Sequence, residues 1–172
     1  MDAEKAGIVP VEDGVAFDRL RVHWQTLPTS VQFKSAANSP EVGTPFGPIY
    51  VLLRGEETAG QLGLYEQFVA ANTGAGAHLQ TTEDEVFYIL EGEWEFLAGA
   101  ETRRVGPGTL IYAPIDAMHA FKSLDPKKPG RMLSWNAPAG HERFYVGMGA
   151  ARAKRQDHNA VAKSHYHVEF AR

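Results

Sequence analysis

Gly74-Ala75-Gly76-Ala77-His78-Leu79-Gln80-Thr81-Thr82-Glu83-Asp84-Glu85-Val86-Phe87-Tyr88-Ile89-Leu90-Glu91-Gly92 is the stretch that decides the fold. His78 and Gln80 lie two apart on an extended segment, so both side chains leave the same face. A polar turn follows, and Glu85 opens the next strand signal, so a hairpin can fold this carboxylate back beside the imidazole and the amide. A second imidazole, His119, comes on a later strand, after the turn signal Pro114-Ile115-Asp116.

On either side of this stretch the chain keeps the same texture. Ile49–Leu53, Leu62–Ala70, Val86–Leu90, Glu93–Leu97, Thr109–Tyr112, Met118–Lys122 and Met132–Trp135 are short runs rich in β-branched and aromatic residues. Turn signals bound them: Glu91-Gly92, Gly106-Pro107-Gly108 and Asp125-Pro126. Glu93-Trp94-Glu95-Phe96 alternates strictly, which predicts Trp94 and Phe96 facing in and both glutamates facing water. Strands at this spacing, without long helices between them, predict an all-β sandwich or closed barrel. Residues 1–47, broken by Pro28, Pro40 and Pro45, read as an N-terminal arm or lead-in; 48–138 as the barrel; 139–172 as a helical tail docking on it. In that tail His141–Met148 and Asn159–Tyr166 have helical spacing, with Phe144, Val146, Met148, Val161 and Tyr166 as docking residues.

Bulk properties narrow the function classes. The 172 residues suit one domain with a sizeable core, and 44% apolar with 22% charged residues is a globular composition. A net charge of −4 gives no electrostatic reason to expect nucleic acid. The basic cluster Arg152-Ala153-Lys154-Arg155 reads as a solvated helix end. The absence of cysteine removes disulfide and thiol chemistry. The N-terminal residues lack a signal-peptide pattern and no apolar run is long enough to span a bilayer, so a cytoplasmic protein without membrane partners is expected.

The chemistry rests on His78, Gln80, Glu85 and His119. Imidazole nitrogen and carboxylate oxygen hold first-row metals at about 2.0–2.2 Å. Two histidines and a glutamate make a three-point attachment that leaves coordination positions open for substrate or dioxygen. Singly, an inward histidine is more often hydrogen-bonded packing, and Glu85 alone is a strand-edge charge. Their spacing within a glycine frame is what points to one divalent first-row ion per chain, Fe, Mn, Ni, Co or Zn. Glu83 is the runner-up for the carboxylate. His165-Tyr166-His167 invites a second metal site, but no matching ligand lies nearby in sequence, and a surface or docking role is the better reading.

Gly74 to Gly92 resembles the first motif of the cupin superfamily, in which a glycine precedes a His-x-His pair, then a glutamate, then a glycine at the Glu85-to-Gly92 interval. Gly108-Thr109-Leu110-Ile111-Tyr112-Ala113-Pro114 followed by His119 resembles the second, with Asp116 in place of its second glycine and Ser123 in place of its closing asparagine. Thr58-Ala59-Gly60-Gln61-Leu62, the central hairpin, and Ala137-Pro138-Ala139-Gly140-His141-Glu142-Arg143-Phe144 are similar to the monocupin quercetinase-like branch. The likeness covers roughly residues 48–170, where Ala160–Phe170 resembles that branch's closing helix and short strand.

The resemblance implies a double-stranded jelly-roll barrel with His78, Glu85 and His119 as metal ligands. Gln80 stands where the family's second histidine stands, and its neutral amide implies weaker binding or selectivity for a harder ion. The likeness to quercetinase-like enzymes implies Glu85 as the acid–base residue. Phe87, Ile89, Trp94, Phe96, Tyr112 and Phe121 are candidates to line an apolar pocket for an aromatic or other planar substrate, with ordinary core packing the better reading for any one of them. Three functions remain open: a dioxygenase acting on a phenolic or enol-type small molecule, a metal-dependent isomerase or lyase, and a non-catalytic small-ligand binder. Small cupins commonly pair through edge strands or exchanged arms, which implies a homodimer.

Overall fold

In the computed structural model the described residues are 30–145, 157, 160–163 and 167–171. The chain divides into two compact units, Met1–Val31 and Gln32–Arg172. Ser30 and Val31 of the first, both exposed, are among the described residues, and all that follows concerns the second.

Eleven strands are described: β1 (Glu41–Thr44), β2 (Gly47–Leu53), β3 (Gly63–Val69), β4 (Gly74–Gln80), β5 (Asp84–Glu91), β6 (Trp94–Ala98), β7 (Glu101–Val105), β8 (Leu110–Ala113), β9 (His119–Ser123), β10 (Gly130–Ala137) and β11 (Val168–Phe170). They form two antiparallel sheets, β1-β2-β3-β10-β5-β8 and β11-β4-β9-β6-β7. The expected jelly-roll barrel is the observed fold. Every strand signal of the sequence falls on a strand. The stretch read as lead-in also contributes, since Glu41–Thr44 forms a hairpin with β2. β7 lacked an apolar signal because its residues are mostly exposed, Val105 excepted.

Alternation fixes which face is core. On β6 Trp94 and Phe96 are buried while Glu95 lies between them on the outer side. On β10 Met132, Ser134 and Asn136 point inward. The core packs Val69, Phe87, Ile89, Trp94, Phe96, Phe121 and Met132, none more than 5% exposed. Each such apolar side chain contributes about 1.5–3 kcal/mol by leaving water.

Two glycines of the quoted stretch have identifiable reasons. A Cβ at Gly74 would lie 1.9 Å from the carbonyl oxygen of Phe121, so β4 and β9 approach there only without a side chain. Gly92 turns at φ +87, a conformation that costs other residues about 1–2 kcal/mol. Asp116 sits at φ 65, which explains why glycine is replaceable there: the short Asp side chain tolerates left-handed backbone.

The tail closes the barrel. Residues 141–145 and 160–163 are helical, and Tyr145 and Phe144 pack on Ile49, Val51 and Tyr65. Val146, Met148, Tyr166 and the Arg152–Arg155 cluster lie outside the described residues. β11 adds to the edge of β4, placing Val168 opposite Gln80 and Phe170 opposite His78. No helix among the described residues is long and apolar enough to cross a membrane.

Candidate metal centre

Three strands bring the cluster together. β4 buries His78 and Gln80 on one face, as their spacing predicts. β9 sets His119 directly opposite His78, with ring centroids 4.4 Å apart. Glu85, at the start of β5, faces both from the other sheet. The ligand atoms of His78, Glu85 and His119 all lie within 4.8 Å of one another, and all three residues are buried. Two imidazole nitrogens and a carboxylate oxygen suit Zn, Fe, Ni, Co or Mn, so the cluster could hold such an ion.

Hydrogen bonds aim the imidazoles. His78 Nδ1 lies 2.7 Å from the carbonyl of Gly76 and His119 Nδ1 2.9 Å from that of Ala117. Each Nδ1–H therefore donates to main chain, which leaves each Nε2 lone pair free for the interior. His119 Nε2 meets Glu85 Oε2 at 3.1 Å. Two lone pairs cannot face each other at that distance in a dry site, so the gap takes a proton or a cation.

The electrostatics agree with this geometry. Burial works to raise the Glu85 pKa, but the His119 hydrogen bond and the neighbouring imidazoles outweigh it and hold the carboxyl down at about 2. Burial, helped by the charge of His119, pushes His78 down to about 4, so its imidazole is neutral at pH 7. His119 goes the other way: burial opposes its charge, but the bond to Glu85 wins and raises it.

Gln80 enters through its nitrogen. Its Nε2 donates to Glu85 Oε2 at 2.5 Å, in a side chain only 3% exposed. Asp116 N–H, in the turn before β9, donates to the Gln80 carbonyl and joins the two halves of the site. Glu83, the alternative carboxylate, turns away to His141 Nδ1 at 2.8 Å.

Of the six residues named for a pocket, five pack in the core, the better reading for each singly, and Tyr112 faces out. Phe87, Ile89, Trp94, Phe96 and Phe121 belong to the hydrophobic core, packed with Val69 and Met132. Of these, Phe87 reaches the cluster, its ring 5.8 Å from that of His119. Tyr112 is 56% exposed on edge strand β8, its hydroxyl donating to Asp84. It points outward because Ala113, its neighbour, takes the inward position. A groove of about 630 Å³ opens elsewhere, lined by Glu41, Tyr50, Phe68 and Pro129 among others, and no cluster residue borders it.

Sequence reasoning missed the buried pair Glu83–His141 and the Tyr65 hydroxyl bonded to Glu142 at 3.1 Å. The only signal was the polar His141-Glu142 directly after Pro138-Ala139-Gly140. His167 is exposed and joins through its backbone, accepting from Thr81 N–H at 3.0 Å; His165 lies outside the described residues.

Residues 65–136 match the family described as the cupin domain. The match runs from within β3 to within β10 and so spans the strands that carry the cluster. Solved structures similar to it include KdgF from Halomonas sp., at 17% identity and a TM-score of 0.58, covering 66% of this chain and 99% of that one. The nucleoside dehydratase Pac13 from Streptomyces is similar at 15% identity and a TM-score of 0.53, over 66% of this chain and 88% of its own. The polyketide cyclase RemF from Streptomyces resistomycificus is similar at 20% identity and a TM-score of 0.54, over 63% and 80%. At these identities the likeness concerns the cupin fold alone. No match was found among curated proteins.

Proposed function

We propose that the cupin domain holds one divalent first-row ion through His78, Glu85 and His119 and acts on a small phenolic or enol-type molecule, as a quercetinase-like dioxygenase. The observation that carries this is the pair of Nε2 atoms and the Glu85 carboxylate converging from two sheets, with both Nδ1 atoms already held by main chain. When bound, the ion would supply Lewis acidity and a site for dioxygen. The chain's residues do the rest. Glu85 is ionised, and its carboxylate accepts a hydrogen bond from the substrate hydroxyl. His119 stays fixed by Ala117, and Gln80 keeps the carboxylate oriented rather than coordinating through its oxygen. Phe87 meets the His119 ring edge-on at 5.8 Å and Phe170 lies tilted against the His78 ring at 5.7 Å, giving the cluster an apolar flank.

Metal analysis of the purified protein with oxygen uptake on flavonols tests this reading. Metal-loaded protein inert to a broad panel of flavonols and enediols would sink it. Turnover without dioxygen is the second reading, an isomerase or lyase, since the fold hosts a dehydratase and a cyclase. We also propose a homodimer. Among the described residues β8 is a sheet edge, with Leu110 and Tyr112 exposed on it, and a second copy can cover them. Light scattering that gives the monomer mass at micromolar concentration refutes it.

A further inference from the structure

The three side chains of the cluster lie inside the barrel: His78 is 7% exposed, Glu85 3% and His119 3%. The groove at Glu41 and Tyr50 borders none of them. An ion, or anything larger, therefore reaches the cluster when a covering element moves aside.

One element closes the barrel beyond Glu85. Glu83 and Glu85 are buried and Asp84 between them is less so, so both carboxylates face inward. Glu83 stands about 6–7 Å nearer the strand end. His141 covers it, its Nδ1–H donating to Glu83 Oε1 at 2.8 Å with both side chains buried. The next residue, Glu142, accepts the Gly55 N–H on Oε1 and the Tyr65 hydroxyl on Oε2, each at 3.1 Å. Tyr65 Oη lies over Gly63, and register aligns Gly63, Asn136 and Glu85 in one row across β3, β10 and β5. The helical segment 141–145 is thus fastened at the row of Glu85 and at the layer beyond it.

Its fastenings suit an element that opens. The two contacts nearest the cluster are hydrogen bonds to carboxylates, which exchange for water at small net cost, and Tyr145 adds one apolar contact, its ring 5.5 Å from that of Tyr65. The chain enters the segment through Gly140 at φ +146, an angle glycine takes freely. We infer that His141–Tyr145 is a gate over the cluster, with Gly140 as its hinge and the Glu83–His141 and Tyr65–Glu142 contacts as its catch.

Diethyl pyrocarbonate acylates accessible imidazole nitrogen. Its rate of reaction with His78 and His119 in the full metal-free chain, read by peptide mass spectrometry at single-hit dose, measures opening without any metal. His141→Leu and Glu142→Ala each remove half of the catch. Glu142→Ala strands no buried charge, so it decides where His141→Leu does not fold. Arg131→Ala, near the other end of β10, lowers stability without touching the catch. The catch variants are expected to raise both rates at least about tenfold, and Arg131→Ala to keep them within about twofold. Co²⁺ uptake should quicken with them. Unchanged rates in the catch variants overturn the inference. So do rates that rise equally in Arg131→Ala, which would report lost stability alone, or that rise only in Phe170→Ala, which would move the opening to β11. Wild type that takes up no Co²⁺ but shows the expected acylation pattern refutes the metal reading and sustains the gate.

Discussion

Replacing Gln80 by leucine should weaken metal binding without removing any ligand of the His78–Glu85–His119 set. The amide is buried and its Nε2 donates to Glu85 Oε2, the oxygen that also faces His119 Nε2. A hydrogen bond to an ionised acceptor is worth about 1.5–3 kcal/mol, and 1.4 kcal/mol is a factor of ten, so the affinity loss is about 10- to 100-fold. Groups that orient a metal-binding carboxylate from outside the coordination sphere typically cost the same 10–100-fold when removed. Leucine is close in length and keeps the position apolar on β4, opposite Val168 of β11, so the strand should pair unchanged. Calorimetric titration with Mn²⁺, Co²⁺ and Ni²⁺ at pH 7 reads the effect, and circular dichroism confirms the fold. Affinity within about twofold of wild type would show that Gln80 does not orient Glu85, and the reasoning from this hydrogen bond would fail.

Further outcomes follow from the same geometry. Gln80→His puts a third imidazole at the cluster and should tighten metal binding; unchanged affinity would place position 80 outside coordinating reach. The metal-free protein should lose stability on acidification. The folded pKa of Glu85, about 2, lies below its ordinary 4.5, so its contribution is complete above pH 4.5 and disappears as pH falls through 2. His78, held at about 4 against 6.5, loses its contribution as pH falls from 6.5 towards 4, whereas raised His119 contributes at low pH and partly offsets it. Urea midpoints that do not change between pH 7 and pH 3 would contradict these shifts. Gly130→Ala puts a Cβ 2.3 Å from Trp94 Cζ2, in a ring that is fully buried, and should cost about 1–3 kcal/mol in a urea melt. Arg131→Ala leaves the buried Glu66 carboxylate without its guanidinium; because Arg131 is 37% exposed, about 1–2 kcal/mol is expected rather than the full cost of a broken buried pair. A thermal midpoint unmoved by that change would refute the pairing.

Much of the site was legible because strand periodicity is local. His78 and Gln80 share a face by their spacing alone, and Glu85 follows a turn that the polar residues announce. The choice of Glu85 over Glu83 came from the interval to Gly92, and the structure turns Glu83 to His141 instead. The sequence leaves these aromatic residues between pocket and core because inward apolar residues of a strand look the same whether they line a cavity or fill it. Only the opposing sheet distinguishes the two, and here Phe96, Phe121 and Trp94 pack against one another. Tyr112 was misplaced because β8 is short, with no long alternation to set its phase.

By itself the sequence determined an all-β sandwich or barrel and the position of nearly every strand, because alternation and turn residues act over a few residues; the jelly roll and the meeting of His78, Glu85 and His119 came as what the family resemblance implies. Tertiary structure alone decided what those residues do to one another. Sheet register sets His119 opposite His78 and brings Glu85 across from the other sheet. It also turned Gln80, the position where the chain departs from the family pattern, into a donor to Glu85. Which atom of an amide faces a carboxylate depends on partners tens of residues away, and no local pattern carries that information.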